Sequence, residues 1–293
     1  MNRVPALFAL VTCLAVPAGS GEPRADASTS GLRLLGHALE RRDPAALADT
    51  TLPRLASLDS IGRAWLARRI ESWDIGSRVA AYAFLQVGAP YRLGPLGEGA
   101  PPDTDPVIEF ETTDCAVLNL VSAALAHVGD AGGERRAMAI ANYHRGEIGY
   151  ATRFHFTTDR LDSCPYYRDI TREVAGAACR ERSVALNRRE GGGRWIPIDW
   201  SREREVFFAP RALGARFARW YDQGRIPAAM GIAFVEEPKL ADGLDVVHES
   251  LLWKGRTILH ASSRAGRVVT MPWPEFLAGP GRRYDGFVMF EYR

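Results

Sequence analysis

The last fifty residues constrain the fold most. Four short runs, 245–253, 256–262, 267–271 and 286–292, are rich in aliphatic, β-branched and aromatic residues and are separated by turn formers. That is the signature of consecutive antiparallel strands. The earlier part is patterned differently. From about Gly31 to Gly88, Leu52, Leu55, Leu58, Ile61, Trp65, Leu66, Ile70 and Trp73 recur at spacings of three and four, with arginines between; this predicts helix with one packed face. A second short helix is expected over 79–87, ended by Gly88-Ala89-Pro90. Helices first and strands last predict an α+β domain rather than a βαβ repeat. The Gly-, Pro- and Asp-rich stretch 94–106 is expected to be a loop, and the polar stretch 160–195, with Gly191-Gly192-Gly193, a long surface excursion.

The N-terminus predicts export. Arg3 is followed by an apolar stretch over 4–16 and then by Ala18, Gly19 and Ser20, the order of a secretory signal peptide. Residues 1–18 are expected to be the signal and 19–30 a polar linker, placing the protein in the periplasm or outside the cell. Cys13 lies inside the apolar stretch behind Thr12, which does not fit lipidation. No later run is a candidate membrane span. The chain has 37 basic and 35 acidic residues, and loss of Arg3 with the signal brings the balance nearly to neutrality. Without a basic stripe, electrostatic nucleic-acid binding is excluded as a main function. At 293 residues and 46% hydrophobic, a core forms without metal or disulfide staples. The mature chain keeps Cys115, Cys164 and Cys179, an odd number. Cys164 and Cys179, fifteen residues apart, are the expected bridge, with Cys115 free; three unpaired thiols are the alternative.

Cys115 sits where a thiol can be used. Thr112-Thr113-Asp114 precede a run in which Leu118, Val121, Leu125 and Val128 form an apolar helical face closed by Gly129. Asp114 is a good N-cap, which puts Cys115 at the first helical position. There the positive end of the helix favours a thiolate, and a backbone N–H can donate to an oxyanion. A free cysteine is otherwise a small core residue, so the chemistry needs a partner base.

Of the six histidines, His37, His127, His144, His155, His248 and His260, the last two are informative. A three-residue loop Trp253-Lys254-Gly255, with Gly255 in the left-handed third position, sets His248 directly opposite His260 on neighbouring strands. Such pairs share a face, with Cβ atoms ~5 Å apart. A two-residue loop, Lys254-Gly255, sends the imidazoles to opposite faces. In the first register one imidazole can act as base toward the thiol while the other orients it. A zinc site built from Cys115, His248 and His260 is the competing chemistry, with no CxxC or HExxH spacing behind it.

Gly88-Ala89-Pro90-Tyr91, Asp114-Cys115, and His248 with His260-Ala261-Ser262 together resemble the NlpC/P60 superfamily of cell-wall cysteine peptidases. The finer resemblance is to its DUF1460, amidase-like branch. It is carried by Gly94-Pro95-Leu96-Gly97-Glu98-Gly99, Thr113-Asp114-Cys115, Tyr143-His144-Arg145-Gly146 through Tyr150, Arg153, His155 and Phe156, and Leu259-His260-Ala261-Ser262-Ser263. The resemblance implies a papain-like α+β fold over 76–293, with the nucleophile helix packed on an antiparallel sheet and 31–75 as an N-terminal helical segment. It implies Cys115 as nucleophile, His248 as base, His260 as the orienting residue, and Tyr91 with its hydroxyl near the thiol or oxyanion. Similar proteins of this branch cleave the amide between N-acetylmuramic acid and L-alanine in peptidoglycan fragments, through an acyl-enzyme and without a cofactor. The broader superfamily mostly cleaves between γ-D-glutamate and the diamino acid. A peptidoglycan-binding module on the same fold is the non-enzymatic alternative. The branch usually carries a hydroxyl residue and Phe-Val-Glu after Asp-Cys, where this chain has Ala116-Val117-Leu118-Asn119-Leu120; after the first histidine it usually has Val-Gly, where this chain has Glu249-Ser250. The differences spare the triad and touch its surroundings.

Arg145, Arg153 and His155 are the candidate substrate residues. Arg153 is expected to pair with a stem-peptide carboxylate, since guanidinium matches carboxylate geometry; the alternative is a surface ion pair with Glu147 or Asp159. Asp169, Glu173 and the stretch 180–189 read as a solvated face. Trp195, Trp200 and Trp220 suit either a sugar groove or core packing.

Overall fold

The computed structural model describes residues 29–97, 107–128 and 132–293. The expected signal, nearly all of the linker, Gly129 and the greater part of the 94–106 loop lie outside the described residues. Among the described residues there are ten α-helices: α1 (Thr29–Glu40), α2 (Ser60–Ile70), α3 (Ile75–Phe84), α4 (Cys115–Ala126), α5 (Glu134–Asn142), α6 (Thr157–Ser163), α7 (Thr171–Ala175), α8 (Phe217–Asp222), α9 (Glu237–Ala241) and α10 (Trp273–Ala278). The strands are β1 (Tyr167–Asp169), β2 (Arg180–Leu186), β3 (Arg202–Pro210), β4 (Ala229–Val235), β5 (His248–Trp253), β6 (Thr257–Ser262), β7 (Arg267–Pro272) and β8 (Gly286–Tyr292). They form one antiparallel sheet in the order β2-β3-β8-β4-β5-β6-β7, with β1 also on β8. No helix of the described residues is long and apolar enough to cross a membrane.

The four C-terminal runs are β5, β6, β7 and β8. The sequence does not announce β1 to β4; of these β4 lies at the centre and is buried along its whole length. Its side chains alternate between two cores. Ala233 and Val235 join Val288 and Phe290 of β8 beneath α3 and α4, while Met230, Ile232 and Phe234 join Phe287, Met289, Phe217 and Trp273 on the other face. A strand covered on both faces carries no polar alternation to find. Gly231 lies opposite Phe290, and a Cβ there would come 1.9 Å from the Phe290 ring.

The expected surface excursion over 160–195 is corrected. It contains part of α6, then β1, α7 and β2, and β2 pairs with β3. The first four residues of β2 are exposed, so its charged sequence does describe a solvated strand face. The helical N-terminal stretch is also broken up. Between α1 and α2 the chain makes 3₁₀ turns at Pro44–Ala48 and Leu55–Ser57, and Asp59 starts a new helix by accepting from Gly62 N–H at 2.7 Å. Counting period across that break put Ile61 on the buried face; it is 72% exposed. The true face of α2 is Gly62, Ala64, Leu66 and Ile70, and Leu66 and Ile70 share one core with α3 and α4.

Helix α4 is buried all round from Val117 to Ala126, packed between α3, α5 and the sheet at β5 and β6. A helix apolar on every side is an interior helix, so the expected single face, Leu118, Val121 and Leu125, is only part of its contact surface.

Candidate active site

The start of α4 is held by one carboxylate. Asp114 Oδ1 accepts from the N–H of Ala116 at 3.0 Å and of Val117 at 2.9 Å, and its Oδ2 accepts from Gly94 N–H at 3.0 Å. The cap thus also pins the segment that carries Tyr91. That segment lies between two others: Tyr91 N–H donates to Gly266 O at 2.8 Å, Arg92 N–H to Thr113 O at 3.0 Å, and Thr113 N–H to Pro90 O at 3.1 Å. Tyr91 therefore reaches the site through backbone pairing with the residues on either side of it, and its hydroxyl is pushed up by burial and by the nearby thiol.

Cys115 is half-buried at the first position of α4. Its thiol is pushed up to about 12, first by desolvation and then by the carboxylates of Asp114 and Glu249, while the N–H groups of Glu249 and Ala116 act the other way. The expectation that the helix start would favour a thiolate is corrected here. Loss of water around the sulfur outweighs the helix start, and the capping carboxylate adds its own negative charge, so the resting group is a thiol.

His248 opens β5 and His260 lies in β6. Their rings meet with His248 Nε2 and His260 Nδ1 3.0 Å apart and the ring planes at 86°. The hairpin that joins them differs from expectation by one residue. Lys254 and Gly255 both take positive φ, 51° and 63°, and the ladder runs Leu251↔Leu259, Leu252↔Ile258 and Trp253↔Thr257. The loop is three residues long, but it is Lys254-Gly255-Arg256. Counting back, His260 falls across from Ser250, two positions from His248. A two-residue slip preserves the face, so the imidazoles meet diagonally. Gly255 is required: beyond its φ, a Cβ would lie 2.4 Å from Phe217 O.

Both imidazoles are neutral at neutral pH. Burial lowers His248 to about 3, helped by His260 and Arg283, and lowers His260 to about 4. His248 lies nearly parallel to Tyr284 at 6.3 Å and inclined at 25° to Phe234 at 5.6 Å, which restrains its ring plane. Cys115 and β5 meet through Asn119, whose Nδ2 donates to Cys115 O and to Glu249 Oε2, each at 3.3 Å.

Sequence reasoning registered Asn119 and Glu249 only as departures from a pattern. Glu249 is buried and accepts from Arg160 at 2.6 and 2.7 Å and from Thr157 Oγ1 at 2.7 Å. A carboxylate inside the apolar run His248–Trp253 was the available signal, since such a group needs a buried partner.

The substrate candidates lie in or next to the turns after α5. Arg153 is buried, with Nη2 donating to Leu96 O at 2.8 Å and to Tyr143 Oη at 3.3 Å. It underpins the turn whose Gly94 binds Asp114, and so matches neither an exposed carboxylate receptor nor a surface ion pair. Asp159 is held instead by Arg202, Arg204 and His144. His155 Nε2 lies 2.7 Å from Tyr150 O, and Arg145 is exposed at φ 58°. Trp220 is core; the Trp195 ring is met by Arg189 and Lys239, and Trp200 packs on Phe156.

The expected Cys164–Cys179 bridge is corrected: Cys115, Cys164 and Cys179 are all free. Cys164 ends α6 and lies 3.4 Å from Ile140 O on α5, whereas Cys179 leads into β2 beside Phe208 O of β3. β1 and α7 intervene in the chain, so closeness in sequence does not become closeness in space. Among the described residues no three His, Cys, Asp or Glu side chains are grouped as a metal site.

Three comparisons bear on this geometry. A protein of Legionella pneumophila from the DUF1460 family superposes with a TM-score of 0.63 at 17% identity, covering 80% of this chain and 94% of its own. An N-acetylmuramoyl-L-alanine amidase from Bacteroides uniformis is similar with a TM-score of 0.53 at 17% identity, covering 75% and 99%. A Bacteroides fragilis protein whose name proposes a xylanase gives 0.53 at 21% identity, covering 71% and 98%. At these identities the likeness is one of fold. Among curated proteins, none matches the sequence. The profile of the AmiA-like family, described as N-acetylmuramoyl-L-alanine amidase-like, matches residues 80–279, from within α3 to the end of α10. The chain belongs to the AmiA-like, N-acetylmuramoyl-L-alanine amidase-like family.

Proposed function

We propose that this protein is an exported cysteine amidase that hydrolyses the amide between N-acetylmuramic acid and L-alanine in peptidoglycan fragments. The family supplies the substrate class. The observation that carries the cysteine mechanism is the capped start of α4, with Cys115, set against the strand that bears His248, itself hydrogen-bonded to His260.

The 3.0 Å nitrogen pair supports two tautomers, of which the amidase reading uses one. With the proton on His248 Nε2 donated to His260 Nδ1, the lone pair of His248 is on Nδ1, where it serves as the base. Because burial holds the thiol high and the imidazole low, the proton moves from sulfur to His248 as the sulfur attacks the lactyl carbonyl carbon. The Cys115 N–H and the Tyr91 hydroxyl are the donors for the tetrahedral oxyanion. The C–N bond then breaks as His248 returns the proton to the L-alanine nitrogen, leaving a muramyl thioester. Water adds with its proton taken by His248, and the C–S bond breaks to give the muramyl carboxyl group and the thiol.

The test is mass spectrometry of defined disaccharide-tetrapeptide muropeptides incubated with the mature protein and with Cys115→Ala. Release of intact tetrapeptide by the wild type alone is the expected result. A disaccharide-dipeptide product moves the assignment to a γ-D-glutamyl endopeptidase. Binding without cleavage, undiminished in Cys115→Ala, makes the protein a peptidoglycan-binding module.

A further inference from the structure

Behind the nucleophile lies a buried polar network that the mechanism above does not use. Along β5 successive side chains alternate between faces, so His248 faces Phe234 and Tyr284 while Glu249 points under α4. There Glu249 is 2% exposed, Arg160 is 2% exposed, and Asn119 is 1% exposed. One Arg160 nitrogen, Nη2, reaches both Glu249 oxygens, at 2.7 and 2.6 Å. Asn119 is oriented by Tyr292, whose hydroxyl donates to its Oδ1 at 2.8 Å, leaving Nδ2 to bridge Glu249 and the Cys115 carbonyl.

The charges around this network are unequal. Cys115 is faced by Asp114 at its own helix start, by Tyr91 from the 90–97 segment, by Glu249 from β5 and by Tyr284 ahead of β8, while His248, next to Glu249 on β5, is faced by His260 and Arg283. Glu249 in turn is faced by Arg160 from α6, Asp245 ahead of β5, Asp114, Tyr167 and Tyr292. Among these groups around Glu249, Arg160 alone carries positive charge. A buried carboxylate next to the forming thiolate opposes it unless neutralised.

We propose that Arg160 is a positioning residue for the amidase: it neutralises Glu249 behind the nucleophile and, through Glu249 and Asn119, holds the start of α4 against the strand of the catalytic histidine. The inference rests on Cys115 being the nucleophile. It concerns a charge balance rather than packing alone, so shifting that balance alters thiol ionisation in a set direction. Glu249→Gln keeps the shape and leaves Arg160 unpaired, favouring the thiolate. Neutralising both partners removes the imbalance.

The experiment is the pH dependence of Cys115 alkylation by iodoacetamide in the folded mature protein, read by peptide mass spectrometry, with Cys164 and Cys179 as internal references. It needs no substrate, so it stands apart from failure of the hydrolysis assay. Glu249→Gln is expected to raise the alkylation rate at neutral pH by about tenfold, the effect of about one pKa unit. Arg160→Met with Glu249→Gln returns the rate to within about threefold of wild type. Arg160→Lys, which keeps the charge, retains the wild-type profile. An unchanged profile in Glu249→Gln, or equal shifts in the single and double variants, overturns the proposal and leaves the pair a packing feature. If Glu249→Gln fails to fold, the Arg160→Lys profile decides: a shift there with the charge kept overturns it, and retention supports it.

Discussion

His248 and His260 meet nitrogen to nitrogen at 3.0 Å although the β5–β6 ladder ends at Leu251↔Leu259, and extending its register sets Ser250, not His248, across from His260. The contact is diagonal, made possible by two imidazoles that share a face and cross at 86°. Because it is a single hydrogen bond, it can be kept or broken by choice of side chain.

His260→Asn places an amide oxygen close to where Nδ1 lies and preserves an acceptor for His248 Nε2–H. His260→Phe fills the space without one. In the amidase reading, kcat falls about 10²-fold or more in the phenylalanine variant, the scale of a misoriented general base, and distinctly less in the asparagine variant. Steady-state kinetics on a muropeptide check this; equal losses in both would show that the acceptor is irrelevant.

Acid is expected to destabilise the fold. The unfolded chain takes up protons on His248 and His260 as the pH drops below about 6.5, while the folded chain holds them neutral down to about 3 and about 4. The unfolded state then binds more protons, so stability falls with falling pH. Asp245, pushed up to about 6 by burial, acts the other way by keeping a proton in the folded state, and offsets one of the two. Asp114 and Asp169, raised by burial, act like Asp245, whereas Asp49, Asp159 and Glu291, held low by their partners, act with the histidines. Each proton of difference at a buried group is worth on the order of 1 kcal/mol per pH unit. Thermal unfolding from pH 7.5 to 4.5 measures it, and the double variant His248→Asn, His260→Asn flattens or reverses the slope. An equal slope in the wild type and the double variant would contradict the neutral pair.

Arg153→Ala is expected to act on stability before it acts on substrate. The guanidinium is buried on Leu96 O and Tyr143 Oη, and removing a charged donor from buried acceptors costs on the order of 3 kcal/mol. A lowered urea midpoint is the expected reading. An unaltered midpoint with a raised KM would instead return Arg153 to the role of carboxylate receptor.

Local chemistry was legible in the sequence wherever one segment decides it. The capping of α4 by Asp114 needs only four consecutive residues, and the strand character of 286–292 needs only its composition. The shared face of His248 and His260 survived an error in the turn, because a slip of two residues leaves the parity of a strand unchanged. What the sequence could not show depends on partners far along the chain. β4 is hidden because burial on both faces erases alternation, and Cys164 and Cys179 stay apart because β1 and α7 carry the chain between them. Arg153 is buried because a turn from residues 94–97 closes over it, and Arg160 finds Glu249 only when α6 comes against the start of β5. The sequence by itself determined which residues can cap, turn and alternate, since those are properties of neighbouring atoms. Tertiary packing alone decided which charges lose their water, and with that the neutral thiol, the neutral histidines and the ion pair behind them.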